Sequence, residues 1–223
     1  MSIRVWAFSG GIVLAAAITG IATSQQAPPS PVAATAVALT PSRAEAAALA
    51  QARQSPVTAR LRAGISQNKA LEGLLPRIDA SSVPVLGPAD PGLMGTAAFH
   101  GRDRVYMLVV QRDAQIIEIY GTTKAFQSPL ARASGRTAAA VARPGPRITA
   151  ASPPAGAARA LAQAGTQGLT NVRTERTEYG VDVSFSRFGA AYNVSFICEG
   201  APDCTEAQAV AFAAGLQLIG GGA

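Results

Sequence analysis

Two stretches of the chain alternate in polarity with a period of two, and each does so three times in succession. The first comprises "TAAFH", "RVYMLVVQ" and "QIIEIYG", separated by the turn-formers "GRD" and "RDA". The second comprises "TNVRTERTE", "VDVSFSR" and "AYNVSFIC", separated by "YG" and "FGA". Successive side chains of a strand point to opposite faces. Val181, Val183 and Phe185 therefore share one face and Asp182, Ser184 and Ser186 the other, while Tyr192, Val194, Phe196 and Cys198 align away from Asn193 and Ser195. Connections this short join antiparallel neighbours. The chain is read as α+β, with two three-stranded antiparallel β-meanders forming one sheet or two packed sheets. Flanking helices include a C-terminal helix tied to the sheet by a disulfide. The strand "RVYMLVVQ" is apolar on both faces, Val105, Met107 and Val109 against Tyr106, Leu108 and Val110, which predicts a central strand covered on both sides. Charge at Arg173, Glu175 and Arg176 suits a sheet edge, where it discourages pairing with another chain.

The rest of the chain divides around these strands. Residues 1–24 place one cation, Arg4, before an apolar run of 18 residues from Val5 to Ala22, the layout of a signal peptide or N-terminal membrane anchor. Cleavage after Ala22 or Ser24 and retention as an anchor both imply export of everything that follows. Residues 25–41, "QQAPPSPVAATAVALTP", have the composition of a disordered tether. In the helical segment 42–76, Ser42 and Glu45 form a capping box, a first helix runs to about Gln54, and Pro56 interrupts it or opens a second. Val57, Leu61 and Ile65 begin the apolar stripe of that second helix, and Leu71, Leu74 and Leu75 continue it. The first meander belongs to residues 77–121, with a short strand expected at Val83 to Leu86. Residues 122–167 form a basic Ala/Pro-rich connection with no acidic residue, ending in an Ala-rich helix from about Ala155 to Ala164. Residues 168–223 carry the second meander and the last helix. Aromatic residues make up 5% of the chain, and apart from Trp6 and Phe8 all lie between Phe99 and Phe212, so the packed core is expected in the second half.

Both cysteines lie in "FICEGAPDCTEA". Cys198 closes a strand on its apolar face. Cys204 opens the last helix, read as capped by Asp203 with Glu206, faced by Ala207, Val210, Ala211, Ala214 and Leu218, and stopped by the glycines 220–222. In an exported protein a bridge between Cys198 and Cys204 is the expected state, and closing so short a loop contributes about 2 kcal/mol. The six-residue step is not a C-x-x-C redox motif, and two cysteines with the sole histidine, His100, are too few for a zinc site. No cofactor is indicated.

Chemistry in the remainder is sparse. His100 ends a short strand before a turn, and no nucleophile elbow, zinc-protease helix, phosphate loop or dinucleotide fingerprint occurs in the exported part. Asp103, Asp113, Glu118, Asp182 and Glu199 are the carboxylates that folding could pair. The net charge of +6 comes from 17 arginines and two lysines, Lys69 and Lys124, in a chain without a nucleic-acid-binding motif. Partners expected for a basic exported protein are an envelope protein or an anionic envelope polymer or lipid. Arg132, Arg136, Arg143 and Arg147 are candidate contacts for an anionic ligand in the connection. The reading that follows is an exported, periplasmic or secreted cell-envelope protein, most simply a non-enzymatic binding or structural module. An unrecognised hydrolase-like enzyme and an anionic lipid or polymer binder acting through residues 124–159 are the alternatives.

Overall fold

In the computed structural model, residues 35–113, 115–127, 155–198 and 204–222 are described. Strands β3 (Ala98–Arg102), β4 (Val105–Arg112), β5 (Gln115–Thr122), β7 (Thr170–Arg176), β8 (Gly180–Arg187) and β9 (Ala190–Ile197) form one antiparallel sheet in the order β3-β4-β5-β9-β8-β7. The two halves of the chain meet at β5 and β9, with Ile117 opposite Phe196 and Ile119 opposite Val194. The fold is thus α+β, with six α-helices among the described residues, of which α4 (Pro91–Met94) is a single turn against β4. The two hairpins built of eight-residue strands each turn through a residue of positive φ, Asp113 at 50° and Phe188 at 54°. Two-residue hairpin turns of this hand match the right-handed twist of the strands they join.

One face of the sheet carries the core. Tyr106, Leu108 and Val110 from β4, Ile117 and Ile119 from β5, and their counterparts on β8 and β9 are all buried. Against them pack the two-stranded sheet of β2 (Pro84–Gly87) and β10 (Gln217–Gly221), and behind it helices α1 (Arg43–Arg53), α2 (Pro56–Gln67) and α3 (Leu74–Asp79). Helices α5 (Ala155–Thr166) and α6 (Glu206–Gly215) pack on each other, with α6 lying over β8. Two tyrosines join the layers. The Leu86 amide donates to the Tyr106 hydroxyl at 2.9 Å, and the Tyr192 hydroxyl donates to the Pro84 carbonyl at 2.9 Å. Gly121 makes room for the first of these, because a Cβ there would stand 2.3 Å from the Tyr106 ring.

Several local expectations are corrected. Strand β4 is covered on one face only, since every layer packs on the Tyr106 side and Val105, Met107 and Val109 remain half-exposed. The core is not confined to the second half: Leu61, Ile65, Ile78, Val83 and Leu86 are all buried, because aliphatic helices and β2 fill the space under the aromatics. The helix from Pro56 stops at Gln67, Gly73 turns with φ at 79°, and α3 starts afresh, while Val57 is 42% exposed and stands off the stripe.

The last helix also differs from its reading. Its capping box is Thr205 with Gln208, and it ends at Gly215. Leu218 belongs to β10, which pairs with β2, and Gly220 and Gly221 are strand residues. Burial of Leu216, Leu218 and Ile219 against the sheet outweighs continuation of the helix. Finally, β1 (Thr35–Ala38), within the stretch read as a tether, pairs with β6 (Lys124–Gln127), Thr35 opposite Gln127.

Candidate functional site

The helix-free face of the six-stranded sheet is the first candidate. Its residues follow from the registers. One cross-strand row runs Ala98, Val109, Glu118, Ser195, Asp182, Glu175, and the next runs His100, Met107, Tyr120, Asn193, Ser184, Arg173. The apolar members cluster on β4, β5 and the end of β9. Val105, Met107, Val109 and Ile197 are half-exposed, Ile116 is 41% exposed and Tyr120 43%. Beside them the surface turns polar and acidic toward β8 and β7. No described helix packs on this face.

The second candidate is a cleft of about 490 Å³ on the covered side, where the β8–β9 turn meets α1 and β10. Arg187 and Phe188 enter it from the turn, Ala48 and Ala52 from α1, and Leu218 from β10. The Arg187 Nη1 donates to the Leu216 carbonyl at 2.8 Å, and the guanidinium carbon stands 4.7 Å from the Phe188 ring centroid. Burial presses the Arg187 pKa below its ordinary value, with the Tyr192 hydroxyl acting the other way. Glu45, also on the cleft, serves the α1 cap: its Oε2 accepts from the Ser42 amide at 2.8 Å. Hydrogen bonding by that backbone, and then by the Ser42 side chain, holds its carboxyl below the usual range, with the Gly189 amide adding to the effect.

A neighbouring cleft of about 450 Å³ runs along β10. There the Arg62 guanidinium forks onto Asp79 at 2.7 and 2.8 Å and also donates to the Ile219 carbonyl, while Arg53 donates to the Gly221 and Gly222 carbonyls. Arginine side chains in place of another strand thus satisfy carbonyls along β10.

The residues singled out in the sequence fall as follows. Cys198 and Cys204 are joined in a disulfide, their Cα atoms 6.1 Å apart, which ties the end of β9 to the entry of α6. The same corner is packed by Phe196 edge-on to Phe212 at 5.1 Å, with the Arg112 guanidinium 5.5 Å from the Phe212 centroid. Arg132, Arg136, Arg143 and Arg147 lie outside the described residues, as do Glu199, Asp203 and the apolar run 5–22. His100 is exposed on β3, and Asp103 faces Lys124 at 3.7 Å. Among the described residues no three His, Cys, Asp or Glu side chains are grouped to hold a metal, and no helix is long and apolar enough to cross a membrane.

Arg187 was missed by sequence reading, and its signal was local. A phenylalanine fills the first position of a two-residue turn, where asparagine or aspartate before glycine is the usual choice. Neither a protein-family model, nor a curated protein, nor a solved structure matches this chain.

Proposed function

We propose that this chain is a non-enzymatic binding module of the cell envelope, exported by its N-terminal segment, whose working surface is the helix-free face of the sheet. The observation that carries the reading is the asymmetry of β4 and β5: one face is buried throughout, and the other leaves Ile116 and Tyr120 exposed, with Met107 and Val109 half-buried beside them. Contiguous apolar surface on an otherwise polar exterior marks a place of association. The partner is a protein. It lays an apolar ridge over these side chains and sets cations against Glu118, Asp182 and Glu175, which lie in one row with strands about 4.8 Å apart.

The test is affinity capture with the full chain against the double variant Ile116→Lys, Tyr120→Lys. Both side chains are surface groups, so the variant is expected to keep its melting temperature and lose the captured protein. Retention of the same protein by a folded variant would remove this face from the account.

A second reading, contact with anionic lipid through residues 124–159, is favoured by the β1–β6 ribbon. Because Thr35 pairs with Gln127, the apolar N-terminal run and the acid-free basic segment connect to the two strands of one ribbon.

A further inference from the structure

The Arg187 cleft lies on the side of the sheet away from the proposed docking face, and it has a chemistry of its own. Arginine stays protonated under ordinary conditions, and Arg187 is half-buried, so an anionic partner would offset the part of its hydration that is lost. Arg62 has Asp79 and Lys124 has Asp103, but Arg187 has no carboxylate within ion-pair distance among the described residues. A guanidinium carries five N–H donors in a planar fork. For Arg187 the structure assigns one of them, to the Leu216 carbonyl.

The hairpin turn beside it brings an aromatic ring to the same place. Phe188 holds a φ of 54° although it is bulky, and it is only 7% exposed. The two-residue turn between β8 and β9 enforces this conformation. Here it sets the aromatic ring against the guanidinium, as a wall of the cleft. Gly189, φ 74°, completes the turn against Pro41, where a Cβ would stand 2.4 Å from the Pro41 Cβ.

The remaining lining selects among anions. Ala48, Ala52, Phe188 and Leu218 offer an apolar wall, and Gln51, Ser55, Gln167 and Gln217 line the cleft with neutral polar groups. Glu45 is ionised and turned to the α1 cap, so a dianion entering the cleft meets one cation and one fixed negative charge. A single negative charge on a planar group matches the fork of one arginine.

We propose that this cleft binds a monocarboxylate with an apolar body, its carboxylate on the Arg187 fork and its body along Ala48, Ala52 and Leu218. The carboxylate belongs either to a small organic acid or to the free C-terminus of a polypeptide, and the two share this recognition.

Calorimetric titration of the full chain tests the proposal with hexanoate, with N-acetyl-alanyl-leucine and its C-terminal amide, and with inorganic phosphate. Saturable binding is expected for hexanoate or for the free-acid peptide, and none for the amide or for phosphate. Tighter hexanoate binding assigns a small acid, and tighter peptide binding assigns a chain end. Arg187→Gln is expected to weaken binding about tenfold or more, as loss of a charged hydrogen-bonding group does. Because Arg187 also holds Leu216, Ala48→Phe provides a second variant, which fills the apolar end from an exposed helix position and is expected to abolish binding with the fold intact. Failure of both carboxylates to bind, phosphate binding as tightly as hexanoate, or undiminished binding to folded Ala48→Phe would overturn it.

Discussion

Tyr106 and Tyr192 show how much of the layer packing depends on single atoms. Each is buried against β2, and each hydroxyl meets a backbone group of that strand, Leu86 N–H for one and Pro84 C=O for the other. Burial raises both phenol pKa values, so both stay protonated across the physiological range. Tyr106→Phe leaves the Leu86 amide without this partner inside the core. The expected cost is about 1–3 kcal/mol in urea unfolding, the penalty of an unsatisfied buried donor. A change below about 0.5 kcal/mol would mean that water or a shifted backbone replaces the hydroxyl. The alternation of β4 placed Tyr106 on the Leu108 face in the sequence, but its partner is 20 residues away in a strand whose position depends on the last strand of the chain.

At the level of elements, β10 is the least legible piece. "GLQLIG" follows a helical stretch without a break in hydrophobicity, and its strand character comes from pairing with β2 and from the buried positions of Leu216, Leu218 and Ile219. Those are tertiary facts. By contrast the capping box at Ser42 and the proline at the start of α2 are local, and both helices begin where those residues put them. The Arg62–Asp79 fork that flanks β10 makes a pH-dependent contribution. The Arg62 hydrogen bonds lower the Asp79 pKa, with burial opposing. A carboxylate with a depressed folded pKa adds stability that is present above its unfolded pKa, about 3.9, and is lost as pH falls through the lower folded value. Because the pair is part-exposed, the contribution is expected at no more than about 1 kcal/mol. Wild type should exceed Asp79→Asn in stability near pH 6, and the gap should close toward pH 2 in chemical denaturation at each pH. A gap independent of pH would assign the effect to packing and not to charge.

For the molecule as a whole, the sequence carried the class of the fold and the identity of its strand faces, because a period of two is a local property. It could not carry which face the helices take. Val105, Met107 and Val109 look as apolar as their neighbours, and only the placement of α1–α3, β2 and β10 on one side leaves them open. The two candidate sites were hidden for related reasons: the helix-free face is apolar residues left without a cover, and the cleft is an arginine joined in space to residues of α1 and β10. The disulfide corner was legible because both of its ends are, a strand and a helix six residues apart.

Association through the open face of the sheet is tested most directly by site-specific photo-cross-linking in cells that make the chain, with the reactive side chain at Tyr120 on that face or at Arg60 on α2. A protein adduct of one discrete mass is expected from position 120, absent from position 60 and weakened when Glu118 and Asp182 are both replaced by lysine. No adduct at 120, the same adduct from both positions, or an adduct of twice the chain's own mass would contradict it.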